Sequence, residues 1–525
     1  MAGLVGSILN IVIRTDSSSW IGSGHLMRCL NLAESLTKKG TMVSFVSRKL
    51  PGNLNHLILK KGFQVNEMPQ TTTTSDDLSN RLYNIDDYRA RLGVSEKQDA
   101  FETINLIYGI KPDWLIMDHY SLGEKWEKII RPHVKKIMVI DDLANRSHDC
   151  DLLLDQNWFE NMETRYDHLV PAGCTKLFGP KYVLLGPEFA SAREKIKHHN
   201  DDVKRLFIYF GGSDPHNLTG MALQAVSVPE LNNLEVDVVI GENNPHKDVL
   251  FKLVEALDNT HLHIQVDDMA TIMSKADLAI GSGGVNTWER MCLGLPALTI
   301  SFAENHTMLL KDLSKNGYVT YLGFSADVDI ELIKKNLIEQ ITDVPSFSNL
   351  RKKLYDLVNG NGVKSVVDWL TGNFVDNKWI VKSATAQDKK LYWNWANDEQ
   401  VRKNSINKNY ITWDNHIKWF NNKLADPKCF LYIILYDRKP VGQVRFENEG
   451  DFARIDYSIS RQFRGRRLGK KLLDRAIKEF KKYSNQIILG EVLAENIAST
   501  KTFESLGFSM EIKGVNKIYT KSINK

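Results

Sequence analysis

A histidine lies in a glycine-containing turn close to the start of the chain. The segment 14–28 follows a short apolar run and leads into a helix predicted over 26–38, with Gly22 and Gly24 in the turn. Glycine lets the backbone approach a ligand closely, and the first turn of a helix suits a phosphate or sugar oxygen. The same dipole favours neutral His25, which can act as a base. The alternative is a capping turn with a surface histidine, because the third glycine of a dinucleotide motif is absent.

Polar side chains also follow two later apolar runs. Asp118 and Tyr120 come after one run, and Asp141 and Asp142 come after the next. In α/β sheets, ligands bind at the carboxyl ends of the strands. Asp118 is therefore a candidate to orient the histidine or a sugar hydroxyl, with a helix N-cap as the alternative role.

Two glycine-rich loops follow in the second part of the chain. Gly-Gly-Ser-Asp at 211–214 comes after an apolar run, and Gly-Ser-Gly-Gly at 281–284 opens a helix that contains Glu289. Backbone N–H groups at the start of a helix can hold a diphosphate. Considered alone, Glu289 fits a solvated helix position equally well.

A third candidate site is a basic turn near the end of the chain. Residues 458–471 read Ser-Ile-Ser-Arg-Gln-Phe-Arg-Gly-Arg-Arg-Leu-Gly-Lys-Lys, between a predicted strand and an amphipathic helix. Such a turn can cradle a pyrophosphate; a basic surface helix for nucleic acid is the alternative, without a supporting motif. Glu447 and Glu491 lie on predicted strands, and either is a candidate to accept a proton from an amine. An exposed strand carboxylate is the alternative for each.

The elements that must position these residues form two repeating series. Over roughly the first 370 residues, short β-branched runs alternate with helical segments, which is typical of parallel sheets buried on both faces. We therefore expect the α/β class, with Rossmann-type domains at 1–185 and 186–375, a cleft between them and a polar linker at 191–202. The predicted strands are 9–13, 42–46, 114–117, 137–140, 151–154, 205–210, 236–240, 278–280 and 297–300.

The pattern changes after a polar stretch at 371–378. The remainder, 376–525, predicts an α+β domain in which consecutive strands are flanked by helices. Its predicted helices are 389–397, 413–424, 468–483 and 497–506, and its predicted strands are 430–436, 440–447, 453–459 and 487–493.

The motif of the first turn resembles a known family. Arg-Thr-Asp-Ser-Ser-Ser, followed by Ile-Gly-x-Gly-His-x-x-Arg, resembles the opening of the UDP-sugar hydrolases of pseudaminic acid biosynthesis, which are similar in fold to GT-B glycosyltransferases. The resemblance covers about 8–370 and implies that His25 activates a water at the anomeric carbon, with Asp118 beside it. His306 stands where the family has glutamine. The implied nucleotide-sugar-binding residues here are Arg14, Asp16, Gly24, Arg28, Tyr120, Gly212, Ser213, Gly283, Gly284, Glu289 (on the ribose hydroxyls) and Asn305.

The basic turn resembles the acetyl-CoA loop of the GNAT acetyltransferases, Arg/Gln-x-x-Gly-x-Gly/Ala, with Arg467 where glycine is usual. Residues 496–508 resemble the GNAT signature Asn-x-x-Ser-x-x-x-Tyr-Glu-x-x-Gly-Phe, with Phe503 in place of the tyrosine that often protonates the thiolate. Water or another residue, such as Tyr519, then supplies that proton. The implied acetyl-CoA-binding residues are Arg464, Gly465, Arg466, Arg467, Leu468, Gly469, Lys470, Asn496, Ser499 and Phe503.

The approach to this domain, 397–420, resembles the sugar N-acetyltransferases of the same pathway. Those enzymes act on UDP-4-amino-4,6-dideoxy-N-acetyl-β-L-altrosamine. The resemblance implies that Arg402 and His416 contact the UDP phosphates, and a plain surface role is the alternative for both.

The charge of the chain divides at the same place. The total of 68 Lys+Arg against 64 Asp+Glu gives +4, but residues 1–377 hold 39 and 48 (net −9) and residues 378–525 hold 29 and 16 (net +13). We interpret the basic part as a binder of CoA and a UDP-sugar and not of nucleic acid. No apolar run approaches the ~20 residues that span a bilayer, and no signal peptide is recognisable. Five separated cysteines without C-x-x-C favour the cytoplasm, and no metal is expected.

Together these features predict a bifunctional enzyme. Its GNAT domain would acetylate the 4-amino group of the UDP-sugar with acetyl-CoA, and its GT-B-like part would then hydrolyse UDP from the product. One alternative is a glycosyltransferase fused to an acetyltransferase, and another is a protein N-acetyltransferase carried on a nucleotide-sugar-sensing module. A third keeps the chemistry on a different diacetamido sugar. The sequence leaves the oligomeric state open.

Overall fold

The computed structural model describes residues 8–71, 91–196, 202–342, 347–372, 378–405, 407–466, 468–514 and 516–522. The chain divides into two compact units, Met1–Val367 and Asp368–Lys525. Within the described ranges, no helix is both long and apolar enough to cross a membrane.

The first sheet of the first unit is parallel and has seven strands in the order β3-β2-β1-β4-β5-β6-β7. Its central strands carry only buried residues at their paired positions, as expected for a sheet covered on both faces. The chain order reverses between β1 and β4, which pair from Ile11↔Trp114 to Thr15↔Asp118. The strands are β1 (Asn10–Thr15), β2 (Met42–Arg48), β3 (Gln64–Met68), β4 (Trp114–Asp118), β5 (Ile137–Ile140), β6 (Leu152–Asp155) and β7 (Thr175–Phe178).

The second sheet of this unit is also parallel, with six strands in the order β10-β9-β8-β11-β12-β13. This is the doubly wound order of a Rossmann-type domain. Its order reverses between β8 and β11, so the ends of those two strands border the crevice in which such folds bind ligands. The strands are β8 (Arg205–Tyr209), β9 (Glu235–Ile240), β10 (Thr260–Ile264), β11 (Leu278–Ser282), β12 (Ala297–Ser301) and β13 (Thr320–Phe324).

Helices connect most of the parallel strands, although no described α-helix lies between β5 and β6 or between β6 and β7. The segment predicted as a linker, 191–202, is helical through Lys195, and its residues 197–201 lie outside the described ranges, so its role as a linker stays a prediction. Arg193 anchors this helix by donating to the carbonyls of Cys292, Tyr355 and Val358. The described α-helices of this part are Gly24–Thr37, Asn55–Lys60, Glu96–Ile107, Glu124–Ile130, Pro187–Lys195, Leu218–Val226, Lys247–Glu255, Met269–Met273, Val285–Cys292, Glu304–Lys315, Ile330–Thr342, Phe347–Leu357 and Gly362–Thr371.

The second unit is built on a mixed sheet in the order β14-β15-β16-β17-β18-β20-β19. Its neighbouring strands are antiparallel except for β17 and β18. The strands are β14 (Trp379–Ser383), β15 (Cys429–Tyr436), β16 (Lys439–Glu449), β17 (Phe452–Ile459), β18 (Ile487–Leu493), β19 (Ser509–Lys513) and β20 (Asn516–Lys521). The described α-helices are Lys389–Ala396, Glu399–Lys403, Trp413–Ala425, Leu468–Phe480 and Ile497–Ser505.

The predicted architecture of two Rossmann-type sheets followed by an α+β domain is confirmed. All nine strands predicted for the first part are present within one or two residues. Four further strands, β3, β7, β10 and β13, were not predicted, and each is an edge strand. In the second unit, β14, β19 and β20 were not predicted.

Candidate active sites

His25 and Asp118 lie together where the first sheet reverses its order. The Nδ1 of His25 lies 2.6 Å from Oδ1 of Asp118. The guanidinium of Arg28 donates to both oxygens of the same carboxylate, at 2.7 and 2.6 Å. Burial alone would raise the pKa of Asp118, but Arg28 and His25 hold this pKa well below its usual range. Because an ionised carboxylate only accepts, the proton of neutral His25 resides on Nδ1, and Nε2 is left as a base.

The ring of His25 is oriented by a chain of contacts that reaches the second sheet. Tyr120 packs edge-on against the imidazole at 4.4 Å between ring centroids, and its hydroxyl donates to Asp142 at 2.6 Å. Asn157 donates to the same carboxylate at 3.2 Å and accepts at 3.0 Å from the indole N–H of Trp288. Trp288 belongs to the helix that the second glycine loop opens. These contacts therefore connect the surroundings of His25 to the helix that follows the second glycine loop.

Arg14 and Asp16 occupy a different position from the one predicted. Their side chains have no exposed surface, and Arg14 donates to Asp16 and to Asp99 on the helix Glu96–Ile107. Arg48 and the indole of Trp126 also donate to Asp99, at 2.8 and 2.9 Å. The prediction that Arg14 and Asp16 bind the nucleotide sugar is corrected, because this buried network leaves neither side chain facing the cleft. It fixes the turn that leads to His25.

Asp99→Asn is expected to destabilise the first unit by about 3 kcal/mol, because two buried guanidinium groups lose their shared counter-ion. The pKa of Asp99 is lowered in the folded state: burial opposes ionisation, but Arg14 outweighs it. Its contribution to stability is therefore present above the unfolded pKa near 3.9 and lost as the pH falls through the lower folded value. Denaturant unfolding of wild type and variant between pH 7 and pH 3 measures this, and the difference should shrink at acid pH. A pH-independent difference would contradict it.

The turn itself leaves backbone groups for a ligand. Gly22 has a φ of +84°, which glycine adopts without strain. The helix Gly24–Thr37 has no side-chain cap at Ser23, and Gly24 is exposed. Its first N–H groups can therefore bind a phosphate or sugar oxygen beside His25.

The two glycine loops of the second sheet lie at its point of reversal. Gly211 has a φ of +99°, and Gly212 and Ser213 are exposed after β8, whereas Asp214 turns inward and caps the helix Leu218–Val226. The loop 281–284 follows β11, and Gly284 has a φ of +87° and no side-chain cap. A side chain on Gly283 would meet the Cβ of His306 at 2.9 Å, and a side chain on Gly284 would meet its Nε2 at 3.1 Å.

Glu289 lies on the helix after this loop, where the resemblance implies a contact with ribose. Burial raises the pKa of Glu289 to about 7, and no described side chain forms an ion pair or hydrogen bond with its carboxylate. A carboxylate in this state can accept hydrogen bonds from ligand hydroxyls. The side chain of Asn305 lies outside what the structure describes. Burial lowers the pKa of His306.

The site in the second unit forms where β17 and β18 separate. The two strands pair from Phe452↔Ile487 to Ile455↔Gly490 and then diverge, although β17 continues to Ile459. No residue of β18 pairs with β17 beyond Ile455. Apart from the carbonyl of Ile459, which accepts from Arg464, this edge of β17 can therefore hydrogen-bond to an extended ligand as an added strand would. The pantetheine arm of acetyl-CoA has amides of this kind.

The basic turn follows this opening. Gly465 has a φ of +72°, Leu468 is buried, Lys470 is exposed, and a side chain on Gly469 would meet Thr502 at 2.7 Å. Arg464 donates to the carbonyl of Ile459 and to Asp398, and Arg466 donates to the carbonyl of Trp369. These two arginines therefore shape the turn from within, while its backbone stays accessible. Arg467 lies outside the described residues.

Gly465→Ala is expected to raise the KM for acetyl-CoA about tenfold. An L side chain at this φ costs about 1–2 kcal/mol, so the turn would leave the conformation that its N–H groups need. Gly450→Ala is the matched control, because Gly450 has a φ of +62° and open space around it, in the turn at the other end of β17. Steady-state acetyl transfer at varied acetyl-CoA measures both variants, and equal KM values for them would contradict the assignment.

A cavity of about 520 Å³ lies beside the diverging strands. Aromatic rings line it together with a larger number of polar and charged side chains, so it suits a small molecule with many polar groups. Arg402 and His416 both line the cavity, but Arg402 donates to the carbonyls of Asn407 and Asn409, and His416 bonds to the carbonyl of Lys389 at 2.7 Å. The Nε of Arg402 has no hydrogen-bond partner among the described residues, and the predicted role of both residues as phosphate contacts stays a prediction.

The predicted bases Glu447 and Glu491 do not line this cavity. Glu447 is paired with Lys423 at 2.5 Å and Arg445 at 2.8 Å. Glu491 accepts from Arg454 at 3.1 Å and Asn516 at 2.7 Å. Both carboxylates are therefore held by donors on the sheet surface, and their assignment as bases stays a prediction.

Asp456 was not predicted from the sequence as a site residue, but it lines the cavity. It is the first residue of β17 after the last pair with β18, and its side chain is 55% exposed. Gln443 approaches it at 3.4 Å and Arg445 at 3.7 Å. No spacing motif marks this residue, because its position depends on where two strands part.

The tyrosine hydroxyl that lies near the diverging ends of β17 and β18 belongs to Tyr457 and not to Tyr519, the example named from the sequence. Tyr519 is fully buried and stacks on Phe503, so it does not face the cavity. Tyr457 lines the cavity, and its hydroxyl donates to Ser499 at 3.1 Å. Burial raises the pKa of Tyr457, so its hydroxyl stays protonated. Asn496 caps the helix Ile497–Ser505 by accepting from the N–H of Ser499.

Comparisons with known proteins agree with this division. Residues 390–508 match the model of the Acetyltransferase (GNAT) family, and residues 206–356 match that of the Glycosyltransferase family 28 C-terminal domain. An uncharacterized protein of Methanocaldococcus jannaschii is 24% identical over 98% of this chain and 100% of its own length. The UDP-2,4-diacetamido-2,4,6-trideoxy-beta-L-altropyranose hydrolase of Campylobacter jejuni is 28% identical over 59% of this chain and 98% of its own.

A solved structure of MurG from Acinetobacter baumannii covers 70% of this chain and 99% of its own, with 13% identity and a TM-score of 0.48. The sheet order and the two family matches confirm the predicted GT-B-like pair of Rossmann-type domains followed by a GNAT domain. The chain is an enzyme that joins a part similar to a UDP-sugar hydrolase, with a glycosyltransferase family 28 C-terminal domain, to a GNAT acetyltransferase domain.

Proposed function

We propose that the chain catalyses two consecutive steps on one nucleotide sugar. The GNAT domain acetylates the 4-amino group of UDP-4-amino-4,6-dideoxy-N-acetyl-β-L-altrosamine with acetyl-CoA. The first unit then hydrolyses UDP from the product and releases 2,4-diacetamido-2,4,6-trideoxy-L-altrose. The observation that supports this proposal most directly is the chain of contacts from His25 through Asp142 to Trp288, because it links the proposed base to the helix that follows the proposed nucleotide loop. The similarity to the Campylobacter hydrolase supports the choice of sugar.

In the hydrolytic step, Nε2 of His25 takes a proton from a water as its oxygen attacks the anomeric carbon. The bond between that carbon and the diphosphate oxygen breaks, and UDP leaves with the electron pair. Asp118 stabilises the imidazolium that forms, since it already accepts from Nδ1 at 2.6 Å. The backbone N–H groups of the loops 211–214 and 281–284 stabilise the diphosphate as it departs.

In the acetyl transfer, the neutral amine attacks the thioester carbonyl and the carbon–sulfur bond then breaks. Asp456 accepts the proton of the amine, and the hydroxyl of Tyr457 gives a proton to the departing thiolate of CoA. The exposed carboxylate of the one and the protonated hydroxyl of the other suit these two roles. Acetyl-CoA brings the acetyl group, and β17 and the turn at Gly465 hold it.

A glycosyltransferase fused to an acetyltransferase is the second candidate, because the match over 206–356 is to a glycosyltransferase domain. It differs in needing a sugar acceptor in place of water. Release of UDP in the absence of any acceptor separates the two.

The decisive experiment is an NMR time course of the full chain with the UDP-4-amino sugar, with and without acetyl-CoA. The expected course is an acetylated nucleotide sugar first and then free UDP with the diacetamido sugar. UDP appearing at the full rate without acetyl-CoA, or acetylation of peptide amines but not of the sugar, would count against the proposal.

A further inference from the structure

A buried arginine lies under the second glycine loop. Arg290 is 1% exposed, and its Nη2 donates to the carbonyl of Ser282 at 2.7 Å and to the hydroxyl of Thr287 at 3.3 Å. A side chain on Gly281 would meet Nη1 at 2.6 Å. The guanidinium thus fills the space beneath the loop that opens the helix Val285–Cys292.

Among the residues that the structure describes, no carboxylate forms an ion pair with this cation, and the neighbouring Glu289 acts on its charge only from beyond ion-pair distance. No carboxylate lies within 4.0 Å of Arg290, and its Nε and Nη1 atoms have no hydrogen-bond partner. The buried Arg14 and Arg28 of the first sheet, by contrast, each make paired bonds to a carboxylate. A buried charge without a partner is costly, so its retention beneath a loop suggests that an anion completes it.

The hydrogen bond to Ser282 also decides how the loop presents its backbone. The C=O and N–H groups of a trans peptide point in opposite directions. Because Arg290 holds the carbonyl of Ser282 inward, the N–H of Gly283 in the same peptide points away from the guanidinium and out of the loop. Arg290 therefore places a positive charge on the inner side of the loop and directs the N–H of Gly283 to the opposite side.

We propose that Arg290 is a positioning residue for the diphosphate of the nucleotide sugar, a role that rests on the proposed function. It supplies the positive charge of a loop that is otherwise built from neutral backbone, in a half of the chain whose net charge is negative. It acts through the loop without contacting the ligand, so it favours the diphosphate group and not the uridine.

The test measures UDP and uridine binding to the full chain by calorimetry. In R290Q, the amide keeps a donor for Ser282 but removes the charge, and we expect UDP affinity to fall at least tenfold with uridine affinity within twofold of wild type. In R290K, which keeps the charge, UDP affinity should stay within about threefold. R351Q is the matched control, because Arg351 is also buried and donates to the carbonyls of Gly294 and Asp277. Its ratio of UDP to uridine affinity should not change.

Thermal unfolding without ligand gives the second readout. R290Q should not lower the midpoint, since it removes a buried charge that has no ion-pair partner among the described residues. Equal losses of UDP and uridine affinity in R290Q, or unchanged UDP affinity, would overturn the inference and leave the proposed function standing. A wild-type chain that does not bind UDP would overturn both.

Discussion

His25→Gln is expected to slow UDP release by about 10²–10⁴-fold, because the base that takes the proton of the attacking water is lost. Acetyl transfer by the same chain should keep its wild-type rate, which makes it an internal control for folding and concentration. The loss should lie in kcat, since the glutamine retains the size of the imidazole and leaves the nucleotide loops unchanged. Stopped assays of UDP, run on the acetylated nucleotide sugar, measure it directly.

Asp118→Asn tests the same assignment from the other side. The amide cannot stabilise an imidazolium, and its NH₂ can turn the neutral ring to the wrong tautomer. We therefore expect a kcat defect of the same order, and the double variant His25→Gln with Asp118→Asn should be hardly slower than either single one, because the two act as a unit. UDP release within threefold of wild type in His25→Gln would rule out His25 as the base.

The strands that the sequence predicts are those with two buried faces. β4, β5 and β6 are continuous apolar runs, and nothing in the sequence competes with that pattern. The edge strands β3, β10 and β13 are half exposed along most of their length, and β7 has only four residues with a lysine among them. An edge strand pairs with only one other strand and exposes many of its side chains to solvent, so its sequence lacks the continuous apolar run by which a buried strand is predicted.

The positions of the candidate site residues were likewise predicted correctly where a local pattern places them, and not where they depend on partners distant in the sequence. His25 and Asp118 were found because a glycine turn and a strand end place them by topology. Arg14 and Asp16 stand in the same motif, but their partner Asp99 comes 85 residues after Arg14, and only the fold reveals that they face inward. Glu447 and Glu491 were chosen as carboxylates on strands, and their lysine and arginine partners sit on neighbouring strands and helices. The sequence shows that a residue is charged, but only the tertiary structure shows which opposite charge pairs with it.

Under the proposed function, the division of charge follows from how each part would bind an anion. The first part has a net charge of −9 and would offer phosphate groups backbone N–H donors at helix starts, with Arg290 beneath one of them. The second part, at +13, uses arginines inside its turn to hold the backbone, as Arg464 and Arg466 do, and keeps Lys470 exposed. In both, arginines shape a loop whose backbone N–H groups are left for the ligand.

Asp456→Asn is expected to lower kcat for acetyl transfer about 10²-fold near neutral pH, because the amine then has no base to accept its proton. Only the fraction of amine that is already neutral in solution would react, so the rate should recover as the pH rises above neutrality, whereas the wild-type rate should level off earlier. Glu447→Gln and Glu491→Gln are matched controls, since they remove carboxylates of the same sheet that lie outside the cavity. Continuous detection of CoA thiol between pH 6 and pH 10 follows all three variants. If Asp456→Asn behaves like the two glutamine variants across this range, the amine reaches the thioester already neutral and Asp456 takes no part in the transfer.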